Sequence, residues 1–110
     1  MSEGAGAILE TLHVGSLEVR VTRSCARRDL YDIRAGRPLP DTLRAELSAR
    51  GAATGSALLW VVDVPGVHRI TVAAATGRIV VLPRMEPERP AQRAAALELA
   101  QWIEERLARG

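Results

Sequence analysis

Lysine, asparagine and phenylalanine are absent from this 110-residue chain, cysteine occurs once, and aromatic residues make up only 3%. A single cysteine excludes an intramolecular disulfide and a cysteine-based zinc site. Without lysine, all fifteen basic residues are arginine. The three missing residue types are encoded by AT-rich codons, so the composition points to a GC-rich, bacterial gene. Arginine abundance is then a property of the whole chain and not by itself a nucleic-acid signal. Scarce aromatics, only Tyr31, Trp60 and Trp102, leave few platforms on which bases could stack. No apolar run reaches membrane-spanning length and no charged-then-apolar leader opens the sequence, so no membrane partner and a reducing cytoplasm are expected.

Catalytic and cofactor motifs are missing too. There is no P-loop and no Gly-x-Gly-x-x-Gly, and "TGSA" at 54–57 is not a nucleophile elbow. His13, His68, Asp63 and Cys25 have no ligand spacing, neither histidines one helical turn apart nor paired cysteines. The sequence therefore nominates no catalytic residue, no cofactor and no metal ligand.

What is present is ordinary for one globular domain: 47% apolar residues, 25% charged, and a net charge of +2. A flexible N-terminus over 1–6 and a single α+β domain over 7–110 are expected. Charge is uneven along the chain. Residues 16–51 hold eight arginines against five acids, whereas 84–110 balances five against five. Arg20, Arg23, Arg27, Arg28, Arg34 and Arg37 form the candidate anion-binding segment.

Leu17, Val19 and Val21 alternate with polar residues, the pattern of a half-buried strand, and Gly15-Ser16 is a turn that links it to a strand over "AILETLHV". Ser24 is placed to cap a short helix towards Ala35, with Gly36 as its stop. Asp41 is expected to cap a helix over "TLRAELSAR", ended by Gly51. "AATG" at 52–55 and 74–77 reads as the same turn chemistry used twice. "ALLWVVDV", "VHRITVAAA" and "RIVVLPR" are three strands of an antiparallel meander. The chain closes on a helix from Glu88 or Pro90 to Ala108, with Ala96, Leu99, Ala100, Ile103 and Leu107 on one face. The expected fold is two-layer α+β: an antiparallel five-stranded sheet in the order β-β-α-β-β-β-α, with the C-terminal helix packed across it. This order resembles longin- or roadblock-type modules. The tail "TGRIVVLPRMEPERPAQRAAALELAQWI" resembles the last strand and helix of a TATA-box-binding-protein half. Both resemblances concern shape and imply no residue roles.

Two strands are apolar on both faces. Leu58, Trp60, Val62 and Val64 oppose Leu59 and Val61, and Ile79 and Val81 oppose Val80 and Leu82. A one-sided helical layer leaves the second face wet, and that face should then read polar. Either the helix near 42–50 and the 24–40 segment cover it, or another chain does. Leu59, Val61, Val80, Leu82 and Trp102 are accordingly the candidate protein interface. A two-residue Pro65-Gly66 loop would set Asp63 opposite His68, as a structural cross-strand pair or a site orienting an imidazole. In "TRSCARRD", continued alternation turns Cys25 inward as a small buried residue; reactivity would require a helix capped by Ser24. The functional expectation is a small cytoplasmic, non-enzymatic interaction or adaptor module that forms a homodimer or docks on a larger protein. Nucleic-acid or anion binding through 20–37 is the alternative, followed by an enzyme using Cys25.

Overall fold

The computed structural model describes residues 8–25 and 28–109. Nine elements follow in order: β1 (Ile8–Val14), β2 (Leu17–Cys25), β3 (Arg28–Arg34), α1 (Asp41–Ser48), β4 (Ala52–Gly55), β5 (Leu59–Val64), β6 (His68–Ala73), β7 (Arg78–Pro83) and α2 (Arg89–Arg109). The strands form one antiparallel sheet in the order β1-β2-β3-β7-β6-β5-β4. Two meanders thus meet at the centre, where β3 pairs with β7. The segment containing α1 carries the chain from the middle of the sheet to its far edge, and three further strands bring it back.

Period-two patterning decides which way each strand faces. Leu17, Val19 and Val21 on β2, Tyr31 and Ile33 on β3, and Ile79 and Val81 on β7 are all buried. Ile70 and Val72 on β6 and Trp60 and Val62 on β5 complete the same apolar surface. Both helices close over it. Leu43 and Leu47, one turn apart on α1, join Ala96, Leu99, Ala100, Ile103 and Leu107 of α2 in a single core. The alanines let α2 approach the strands closely, while each fully buried Leu or Ile contributes about 1.5–3 kcal/mol. Gly15, at φ 59°, allows the two-residue turn between β1 and β2. Beside it the Ser16 hydroxyl donates to Glu104 Oε1 at 2.8 Å, fastening the hairpin to α2.

The α+β class and the C-terminal helix match the sequence reading; the strand count does not. Among the described residues there are seven strands, not five, in an order of β-β-β-α-β-β-β-β-α that departs from the order on which the longin- or roadblock-type resemblance rested. The helix expected after Ser24 is instead the end of β2 followed by β3. Its alternation, Asp29, Tyr31 and Ile33 inward against Leu30, Asp32 and Arg34 outward, was hidden because acids stand on both sides. The first "AATG" is strand β4 rather than a turn, since its small residues pair with β5 at the sheet edge. Asp41 is the first residue of α1 and not its cap; Pro40, at φ −73° and ψ 153°, precedes it without a side-chain cap bond. That helix ends at Ser48, with Ala49 still αR, before Gly51 is reached. The 1–6 segment and Arg27 lie outside the described residues, as does the side chain of Cys25.

Candidate functional site

Both helices lie on one side of the sheet, so among the described residues no helix covers the other side. The internal cover expected from 42–50 and 24–40 is therefore not formed: α1 joins α2, and β3 is itself part of the sheet. The uncovered face carries the intervening residues of every strand. Leu30, Leu82, Val80, Val61 and Leu59 form an apolar stripe that crosses from β3 to β5, with Thr71 and Ala73 of β6 between them. Leu59 is 57% exposed and the other four aliphatics are half-buried by their neighbours. Four of the five interface candidates thus share one surface.

Ion pairs flank the stripe. On one side Asp32, with its side chain only 7% exposed, accepts from Arg34 at 2.9 Å and from Arg78 Nε at 3.0 Å. A second Arg78 bond, Nη2 to Oδ2 at 3.2 Å, makes that contact bidentate. Arg20 bonds Glu18 at 3.3 Å further along. On the opposite side Asp63 faces Arg69, whose two donors reach it at 3.0 and 3.1 Å. These bonds hold the Asp63 carboxyl below its ordinary range, against a smaller opposing effect of burial. The Asp32 contact likewise raises Arg78 above the usual guanidinium value. The face consequently holds charges of both signs, four arginines against three acids, with Asp32 shared by Arg34 and Arg78.

Trp102 belongs to the other layer. It packs against the core from α2, with Arg50 and Arg106 over its ring at 4.5 and 5.0 Å from the centroid. It does not join the four aliphatics. The Asp63–His68 pair is also corrected. Val64 pairs with His68 and Asp63 with Arg69, because the loop contains three residues, Pro65 to Val67. That register turns His68 inward, where it is 3% exposed and its Nδ1 has no hydrogen-bond partner. Burial, and secondarily the Arg50 charge, lowers its pKa against a small opposing effect of Glu98.

The candidate arginines are dispersed rather than aligned. Arg20 and Arg34 lie on the open face, Arg23 pairs with Asp29 at 3.3 Å at the sheet end, and Arg28 donates to the Pro83 carbonyl at 2.9 Å. Arg37 sits far away, donating to the Leu107 carbonyl at 3.5 Å. No row of free guanidiniums for phosphates results among the described residues. Nor is there, among them, a group of three metal-ligating side chains, or a helix long and apolar enough to cross a membrane. Sequence reasoning missed Asp32, Arg69 and Arg78; the spacing Asp32-x-Arg34 would have revealed the first had β3 been read as a strand.

No family model, curated protein or solved structure matches this chain.

Proposed function

We propose that this protein is a non-enzymatic interaction module whose open sheet face is its docking surface, and that the first occupant of that face is a second copy of the chain. The carrying observation is the apolar stripe of Leu30, Leu59, Val61, Val80 and Leu82 on the side that neither helix covers. An apolar centre with a charged border is the usual anatomy of a protein interface.

Two properties favour a second copy. Every acid on the face is already paired within it, and four arginines stand against three acids, so a strongly acidic or basic protein would find little unmatched charge there. With a two-fold axis along the stripe, the Asp63–Arg69 flank of one copy lies opposite the Asp32–Arg34–Arg78 flank of the other, acid towards guanidinium. Size is also sufficient. Seven strands at about 4.8 Å spacing and about 20 Å long give a projected face of roughly 600 Å². Side-chain relief brings that towards the ~800 Å² per partner of a standard interface.

Sedimentation over a concentration series tests the reading. The chain is expected to be a dimer, and Val80→Glu, which places a charge at the stripe centre of both copies, is expected to give a folded monomer. A monomer at every concentration, or a dimer indifferent to Val80→Glu, would overturn it.

A further inference from the structure

The far edge of the sheet carries a second feature, independent of the open face. Among the described residues strand β4 pairs with β5 alone, and none pairs with its other side. All four of its residues, Ala52 to Gly55, are exposed, and none carries a charge or a large side chain. The bond from Ser56 N–H to the Leu59 carbonyl, 2.9 Å, sets the alternation of the ladder. Thr54 therefore directs its backbone groups towards β5, and Ala53 directs its own outwards, while Gly55, at φ 114°, departs from the regular ladder. An extended peptide added at this edge would find the backbone donor and acceptor of Ala53.

The helix side of that edge is where a ligand side chain would go. Ala53 is the β4 residue facing the helices, opposite Val62, and Gly55 beside Trp60 has no side chain; next to them lies a cleft of about 50 Å³. Arg44 and Ser48 of α1, Ala53, Thr54, Gly55 and Trp60 line it. Its polar side-chain groups are mainly donors. Arg44 lies exposed over the Trp60 ring, 5.9 Å from the centroid, and no described carboxylate pairs with it. Trp60 is 2% exposed and its indole Nε1–H, buried, has no acceptor. The volume suits one carboxylate and no larger group.

We infer that the β4 edge and the Arg44–Trp60 cleft together form a site for an extended peptide of another protein, which adds a strand to β4 and inserts an acidic side chain beside Arg44. Main-chain pairing supplies affinity, and the cleft selects the acidic residue at one position of the alternation. The charged residue lining this site is Arg44, which no described carboxylate pairs with, whereas the arginines of the open face each have an acid beside them, so the two surfaces select different classes of partner.

Titration of the ¹⁵N-labelled full chain with the peptide acetyl-Thr-Val-Glu-Val-Thr-amide tests this. The amides of Ala53 and Gly55 and the Trp60 indole are expected to shift together. The peptide with Gln in place of Glu should bind about tenfold more weakly. A peptide N-methylated at the edge-facing amide should lose binding, which separates strand addition from simple ion pairing. Arg44→Gln should abolish the preference for Glu while the fold, judged by the remaining resonances, is unchanged. The proposal is overturned by no shift at these positions up to millimolar peptide, by equal affinity for the Glu and Gln peptides, or by β4 shifts that follow protein concentration alone, which would mark self-pairing of the edge.

Discussion

Ile79 and Val80 are neighbours in one strand, yet they report on opposite sides of the molecule. Ile79 is fully buried under the helices, whereas Val80 lies on a face that the described chain leaves open. The same division runs through β5, where Trp60 and Val62 are inward and Leu59 and Val61 outward. Inside, charge is almost excluded, and the apolar residues are held by helices of the same chain. Outside, apolar residues of similar type are bordered by ion pairs, and neither helix covers them. Hydrophobicity therefore shows that a strand surface is to be buried, but not by what. Only the placement of α1 and α2 on one side separates the two cases.

Substitution on the two faces should break that symmetry. Ile79→Ala is expected to destabilise the fold by about 2–5 kcal/mol, through lost burial and a cavity that the packed core cannot close. Val80→Ala should cost under about 1 kcal/mol of monomer stability, and its effect should appear in dimerisation instead. Urea unfolding measured on both variants separates them; equal losses would mean that the outer face is covered within the chain. Asp32→Ala comes next, at about 1–2 kcal/mol, because it leaves two half-exposed arginines without their shared acceptor.

On the inner side His68 gives the protein a pH dependence. Its folded pKa is depressed below the ordinary 6.5 by burial, so the folded state favours the neutral ring. The associated stability is present above about pH 6.5 and is lost as pH falls from there towards the folded value. Unfolding free energy should then decline between pH 7 and 5, by at most about 1.4 kcal/mol per pH unit. His68→Leu should flatten that decline, and an unchanged slope would assign it to another group. The smallest effect is expected at the exposed Asp63–Arg69 pair on the outer face, where Asp63→Asn should change stability by less than about 1 kcal/mol. The Asp63 carboxyl should nonetheless titrate below the usual aspartate range in a ¹³C-detected NMR experiment.

Much of this division is visible in residue order. Alternation in "LEVRVTR" identifies which side chains turn inward, and Ala96, Leu99, Ala100, Ile103 and Leu107 form the buried stripe of α2 as their spacing implies. What escaped has physical causes. Strand β3 reads as polar because Asp29 and Asp32 are buried carboxylates paired with arginines from other elements, Arg23, Arg89 and Arg78 among them. Strand β4 escapes because Ala-Ala-Thr-Gly has neither a β-branched run nor an apolar alternation; pairing with β5 alone makes it a strand. The His68 orientation depended on one residue of loop length, and such a slip exchanges the two faces. Which side of the sheet α1 would take is a tertiary outcome that no local pattern encodes. The open face could therefore be suspected from sequence but not located.

The most direct measurement is an isotope-filtered NOE experiment on a mixed sample of ¹³C-labelled and unlabelled chains, which detects only contacts between copies. Intermolecular NOEs from the methyl groups of Leu30, Val61, Val80 and Leu82 are the predicted result. Their absence in a concentrated sample, or intermolecular NOEs confined to exposed residues off that face such as Leu58 and Met85, would contradict the assignment of the open sheet face as the surface on which two copies meet.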